Sequence, residues 1–327
     1  MPTLLVIILI LLGSLFAGCA DTRSHNVHLS PNAQGGRYIE TEGLSQLPNR
    51  RLVITSFGIE FDTKLLFPSV RSHHQPFGGE IYTVEQLDKE VTLGLANDQM
   101  QSLADQVYTQ LLEDLQAAGY DIVPYNMYRE LPAYRSLVEL TGTESQTPIT
   151  FKLGDPTRWV QGEALVFAPN GLNWYSPALG EIGSRLHDTL ARLGSDTRLT
   201  RRSLLGGEAV SQTEVELANA LNATLVKAYY VVSPVRRLVE DELLAGALPT
   251  EGKTIVGHGE TRLAFRTPGA STGYHHFTKN TPPRDGNAFV RLQRDVTVDD
   301  DLTSNQTLET HLDVISKLFI LAMMAER

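Results

Sequence analysis

One serine of this chain has the sequence setting of a hydrolase nucleophile. Ser271 lies in Gly269-Ala270-Ser271-Thr272-Gly273, which matches the G-x-S-x-G pattern, and His275 and Glu260 provide an imidazole and a carboxylate nearby. This chemistry requires a strand, a strained turn and then a helix that lifts the serine. Pro268 precedes the motif and no helical periodicity follows it. A small-residue loop is therefore the favoured interpretation, with a periplasmic hydrolase as the alternative.

The histidines and acidic runs do not follow the spacing of metal ligands. The pairs His73-His74 and His275-His276 would point to opposite faces of an extended chain. His258 and Glu260 would share one face of a strand, where a solvated polar pair is the simpler interpretation. Residues 299–301 are three aspartates without the glycine and distal glutamate of a calcium loop. The sequence also lacks a phosphate-binding glycine loop and a dinucleotide fingerprint. We therefore predict no metal site and no cofactor.

Composition and charge limit the classes of partner. The chain carries 38 acidic and 28 basic side chains, a formal net charge of −10. We expect no nucleic-acid partner, because a phosphate backbone binds to a positive face. Trp159, Trp174 and Tyr175 would, if exposed, be candidates for binding a surface glycan or peptide, although core packing explains such aromatics equally well.

The only cysteine, Cys19, follows an apolar amino-terminal segment. Residues 4–12 form an unbroken apolar run, and Ala17 and Gly18 are small residues directly before the cysteine. This layout is typical of a signal peptide. The run is too short for a membrane-spanning helix, which needs about 20 residues. An ordinary secretory signal with an incidental cysteine would share these features.

Residues 16–19, Phe-Ala-Gly-Cys, resemble the lipobox of bacterial lipoproteins. The resemblance implies cleavage of residues 1–18 and acylation of Cys19 with diacylglyceryl and palmitate-type chains. Ala20, rather than aspartate, after the cysteine implies sorting to the outer membrane with the protein facing the periplasm. Residues 19–49 are polar and rich in turn signals, which predicts a flexible tether ahead of a single folded domain over residues 50–327.

Hydrophobic periodicity predicts an α/β domain. A strand over residues 52–57 that ends at Gly58, a helix between Asp98 and Gly119, and a strand over residues 120–123 form a β-α-β unit with a parallel pair. A mostly apolar run over residues 225–232 predicts a central strand covered on both faces. Further predicted elements are a hairpin at Asn170-Gly171, a helix over 182–193, a helix opened by a Ser211–Glu214 capping box, two alternating strands over 255–265 and 290–298, and a buried helix over 308–322.

Two segments do not fit a compact pattern. Residues 64–97 contain Pro68, Pro76 and Gly78-Gly79, so we expect a long loop with at most one short element. Residues 127–159 form a second expected insertion. The final helix is apolar all round near its end, which predicts burial within the domain, with an oligomer contact as the alternative.

The order of these elements resembles a known group of envelope proteins. Residues 52–57, 115–123 and 215–226 look like the α/β domain of the TolB amino-terminal domain and of the lipoproteins CsgG, PelC and FlgO. The resemblance implies a mixed β-sheet flanked by helices that is used for partner binding and ring assembly. It therefore implies a non-enzymatic lipoprotein of envelope assembly, secretion or scaffolding, with the membrane, envelope proteins or copies of itself as partners.

Overall fold

The fold is a mixed β-sheet with helices packed on both faces. The computed structural model describes residues 38–47, 50–72, 84–141, 146–153, 160–169, 171–172, 174, 210–234, 254–257, 261–270, 287–293, 296–298 and 305–326. Within these residues eleven strands form one sheet. The mixed α/β class predicted from the sequence is confirmed.

The two longest strands, of 22 and 10 residues, lie side by side in the middle of the sheet. They are β1 Ile39–Glu42, β2 Arg51–Ser72, β3 Val84–Thr92, β4 Asp121–Ile122, β5 Thr147–Leu153, β6 Val160–Phe167, β7 Thr224–Ser233, β8 Ile255–Val256, β9 Arg262–Arg266, β10 Asn287–Leu292 and β11 Val296–Thr297. The helices are α1 Asn97–Ala117, α2 Tyr125–Tyr128, α3 Pro132–Thr141, α4 at 210–221 and α5 Asn305–Ala325, with a 3-10 turn at Leu44–Gln46.

The main strand order is β1-β10-β9-β7-β2-β6-β5. β2 runs parallel to β7 and to the short β4. The other neighbours in this order are antiparallel: β6 to β2 on one side, and β9 to β7, β10 to β9 and β1 to β10 on the other. The predicted β-α-β unit with a parallel pair is therefore confirmed. The predicted central strand is also confirmed, because all ten residues of β7 are buried.

The first face of the sheet carries the larger core, under α1 and α5. The predicted face of α1 is confirmed, since its buried side chains include Met100, Leu103, Val107, Leu111 and Leu115. The predicted apolar face of α5 is buried through Leu308, Leu312, Ile315 and Phe319, but two apolar side chains near its end remain exposed, Leu321 at 42% and Met324 at 50%. The predicted strand faces also reach this core, through Leu263, Phe265, Val290, Leu292, Val296 and Val298.

Two predicted helix caps are wrong. Ala96, not Asp98, precedes α1, and the Ala96 amide donates to Gln99 Oε1 at 2.9 Å. Asp98 instead lies in the first turn, where a carboxylate interacts favourably with the helix dipole. Residue 210 is already helical, so Ser211 does not cap α4, and Glu214 is fully buried.

The second face is covered by α2, α3 and α4. Tyr128, Tyr134 and Leu137 from α2 and α3, and Leu217 and Ala218 from α4, form a core cluster with the sheet residues Val53 and Leu225. Three tyrosine rings pack edge to face within this layer: Tyr125, Tyr128 and Tyr134, with centroids 5.0–5.8 Å apart. The Tyr128 hydroxyl donates to the Ile54 carbonyl at 2.6 Å.

Several boundaries differ from the sequence predictions. Residues 38–47, placed in the expected tether, form β1 and a 3-10 turn and bury Ile39 and Leu44. Residues 64–97 hold the second part of β2 and all of β3, rather than at most one short element. The end of α2 and all of α3 and β5 lie within 127–159. The helix predicted over 182–193 lies outside the described residues.

The predicted hairpin at Asn170-Gly171 centres on a turn of which Pro169, Gly171 and Leu172 are described. The Leu172 amide donates to the Pro169 carbonyl at 3.0 Å, and Gly171 has a φ of 84°. Asn170, which a type I′ turn also requires at positive φ, lies outside the described residues. Among the described residues β6, which ends just before this turn, pairs with β5 and β2.

Candidate functional site

Most side chains that the sequence proposed for chemistry or attachment lie outside the described residues. These are Cys19, Trp159, Tyr175, His258, Glu260, Ser271 and His275. Trp174 is described and is only 2% exposed. Its ring packs at 6.3 Å from that of Tyr229. The exposed-aromatic interpretation of Trp174 is therefore wrong, and the core interpretation is right.

The described part of the chain contains no group of three or more His, Cys, Asp or Glu side chains arranged to hold a metal ion. None of its helices is both long and apolar enough to cross a membrane.

A four-stranded antiparallel extension is the most unusual feature of the fold. Its order is β3-β2-β6-β5, and at the level of Leu65 all four strands are present, with Val91, Gly162 and Phe151 as backbone partners in turn. Beyond Phe61, the last residue of β2 paired with β7, β2 continues to Ser72. At about 3.3 Å per residue this part of β2 is ~35 Å long.

The base of the extension combines a buried apolar side chain with polar contacts to both neighbouring strands. Leu65 is 1% exposed. Lys64 and Glu90 form an ion pair across β2 and β3 at 2.9 Å. This hydrogen bond and the Glu90 charge raise the pKa of the Lys64 ammonium group. Thr63 donates its hydroxyl to the Glu163 carbonyl on the other side, at 3.0 Å.

Both outer strands of the extension have a free edge within the described residues. There β3 pairs only with β2, and β5 pairs only with β6. A strand edge carries unpaired amides and carbonyls that can pair with another chain. Since directions alternate across the four strands, β3 and β5 run in opposite directions. The β3 edge of one molecule is therefore directionally suited to pair antiparallel with the β5 edge of another.

Strand directions also relate the extension to the start of the folded chain. β2 and β7 run toward the extension, β9 runs away from it, β10 toward it and β1 away from it. The first residue of β1, Ile39, pairs with Leu292 at the end of β10. The chain therefore enters the sheet at the same end from which the extension projects.

The second sheet face carries a set of buried polar side chains. The Tyr229 hydroxyl donates to Glu60 Oε2 at 2.6 Å, and both residues are buried. Asp62, next along this face of β2, is 0% exposed, and Arg262, paired with Tyr229 on β9, is 7% exposed. Each of these groups takes part in further interactions. Polar groups at this depth persist only when they are hydrogen-bonded or paired.

A second buried charge cluster lies beneath α4. Glu214 contacts Lys227 Nζ at 3.0 Å through one carboxylate oxygen and Arg266 Nε at 2.8 Å through the other. The side chains of Lys227 and Arg266 are 4% and 5% exposed. Arg266 also donates to Ser211 Oγ at 2.7 Å. This arrangement joins α4 to β7 and β9 through charge.

The sequence contained weak signals for these features. Lys227 interrupts an otherwise apolar strand, which could have indicated a buried ion pair. Residues 64–72 show no regular alternation of polar and apolar side chains, and Pro68 argues against a strand in this stretch. Nothing in the local sequence indicated that Glu214 would face the sheet, because a capping box uses the same residue types at the same spacing.

Comparison of the chain with protein families, with curated proteins and with solved structures finds no match. The geometry described above is therefore the basis for a functional proposal.

Proposed function

We propose that this protein is a non-enzymatic lipoprotein of the bacterial outer membrane that acts in the assembly, secretion or scaffolding of an envelope structure. Cys19 carries the lipid, and the folded domain faces the periplasm. The main support from the fold is that the chain enters the sheet at the end from which the β3-β2-β6-β5 extension projects.

The length of chain between the lipid and the sheet supports a position close to the membrane. Residues 19–37 precede the first described residue, Tyr38. A segment of this length reaches ~65 Å when fully extended and averages ~25 Å as a flexible coil. These lengths keep the extension near the bilayer that holds the lipid.

The edges of β3 and β5, which have no strand partner among the described residues, support an assembly role with a second copy of the chain as partner. A contact from β3 of one copy to β5 of the next is heterologous, and repeated contacts of this kind generate rings or filaments. Backbone pairing supplies affinity, and flanking side chains supply specificity. An even number of alternating strands in each copy keeps the whole array antiparallel.

A Cys19→Ser variant tests the anchor. Because the serine hydroxyl does not replace the thiol as acceptor of the lipid, we expect the variant to leave the membrane fraction, while the wild-type mature protein shows an acylated amino terminus by mass spectrometry. An Asp21→Ser variant is the control and should remain in the membrane. Membrane retention of Cys19→Ser, or an unmodified wild-type amino terminus, would contradict the proposal.

Disulfide trapping tests the contact between copies. In a Cys19→Ser background every thiol is an introduced one, so we would combine Glu90→Cys on β3 with Lys152→Cys on β5. Within one chain these positions lie at opposite ends of a row of four paired strands, about 14 Å apart, which is too far for a disulfide.

We expect covalent oligomers on a non-reducing gel from the double variant. The matched control pairs Lys152→Cys with Glu113→Cys, an exposed position on α1, and should remain monomeric. Edge-to-edge assembly would be excluded by two results together. The protein would be a monomer by light scattering, and the double variant would fail to cross-link at the same concentration.

A further inference from the structure

The helix α4 docks on the sheet through two chemically different halves. Its apolar half places Leu217 and Ala218 against Val53 and Leu225. Its other half places the Glu214 carboxylate between Lys227 on β7 and Arg266 on β9. Glu214 is 0% exposed, so this charge has no direct access to water.

We propose that the Glu214–Lys227–Arg266 cluster is a charge latch, which holds α4 to the sheet and whose loss releases α4 while the rest of the domain stays folded. We call these three residues the latch. Their role is independent of the proposed assembly function, because none of them lies in the β3-β2-β6-β5 extension.

The physical argument begins with the cost of burial. A buried ion pair adds little net stability over an apolar replacement, but removing one partner is strongly destabilising because the other charge stays buried. Neutralising Glu214 leaves two cations side by side under α4. The docked position of α4 therefore depends on this single carboxylate.

The loss should remain local. β7 is held on both sides by β2 and β9 and on its first face by the core under α1 and α5. α4 contributes to the second-face cluster and not to that core, so its release leaves the first-face core in place. Proteins open locally in cooperative units of this size while the rest of the fold stays intact.

Hydrogen exchange of the full-length protein tests the latch at the level of single segments. Glu214→Gln preserves the shape of the side chain and removes its charge. We expect amides of residues 210–221 to exchange at least about tenfold faster than in the wild type, with exchange in α1 unchanged. Glu216→Gln is the matched control. Glu216 is exposed on the same helix, and among the described residues its side chain accepts a hydrogen bond from the side chain of Gln212, one turn earlier, at 3.1 Å.

A second variant separates charge from shape. Glu214→Asp keeps the charge and shortens the side chain, so a charge latch predicts slower exchange in α4 than in Glu214→Gln. The reverse order would assign the effect to packing and overturn the proposal. Unchanged α4 exchange in Glu214→Gln would also overturn it, as would loss of protection in both α4 and α1, since the release would then not be local.

Discussion

Gly58 shows how one small residue permits close packing in the middle of a long strand. A Cβ at this position would lie 3.1 Å from Val166 Cγ1 and 3.4 Å from both Trp174 Cβ and Tyr229 Cδ2. In the sequence Gly58 predicts a strand end. In the structure it lies inside β2, where absence of a side chain makes room for Trp174 over the second face.

Substitution of Gly58 should therefore destabilise the domain by overpacking. We expect Gly58→Ala to lower the free energy of unfolding by roughly 1–3 kcal/mol, the usual cost of forcing extra atoms into a filled core. Gly94→Ala is the control, because a Cβ there meets nothing within 4 Å. Urea denaturation of both variants measures the difference. Equal midpoints for the two would show that the core relaxes freely around position 58.

Glu42 gives a pH dependence with a definite sign. Burial raises the pKa of its carboxyl group, with Arg291 opposing and Glu40 adding to this effect. The folded protein thus holds this proton more tightly than the unfolded chain. The resulting stabilisation is present below the ordinary value of 4.5 and is lost as the pH rises through the folded value.

Glu42→Gln should remove this effect. We expect the variant to be more stable than the wild type at about pH 7, with the difference reduced or abolished at about pH 4. Chemical denaturation at the two pH values measures it, with Glu113→Gln on the exposed side of α1 as control. A constant difference at both pH values would mean that Glu42 does not titrate differently on folding.

At the scale of elements, β1 places the boundary of the domain ahead of residue 50, because it pairs with β10. Ile39, Leu44 and Leu47 are 7%, 1% and 8% exposed. A chain that starts at residue 38 retains them, whereas a chain that starts at residue 50 loses them and uncovers β10. Each buried apolar side chain contributes about 1.5–3 kcal/mol. We expect the shorter chain to be less stable by several kcal/mol in thermal or urea unfolding, and equal stabilities would contradict this boundary.

Elements with strong periodicity were predictable, and those set by distant pairing were not. The burial of α1, α5 and β7 follows from apolar spacing or continuity that local sequence shows directly. β1 and the second half of β2 pair with strands far away in the chain, β10 and β6, so nothing in the local sequence marks Ile39 or Leu65 as a buried position. Glu214 was misread for the same reason, because its two cations come from β7 and β9.

The candidate surface was less predictable than the fold. The free edges of β3 and β5 exist only once strand order is known, since no residue type marks an edge. The proposed anchor differs in this respect, because the sequence alone proposes Cys19. The described structure contributes one further observation, which is the end of the sheet at which the chain enters. The proposed assembly role therefore depends on one feature of the local sequence, Cys19, and on one feature of the strand order, the edges of β3 and β5.

At the scale of the whole molecule, β2 is part of both the main sheet and the extension. Its first part lies in the main sheet, paired with β7 at nine positions, and its last part forms the extension with β3. No turn or break separates the two parts, apart from bulges near Thr55 and Thr63. Any displacement of the extension is thus transmitted into the centre of the domain.

This continuity has a mechanical consequence. A pull on the far end of β2 along its axis would load the hydrogen bonds to β7 in shear, so that many must yield together rather than one after another. The buried β2–β7 pair would therefore resist tension applied to the extension. The extension would then move as one rigid body with the rest of the sheet.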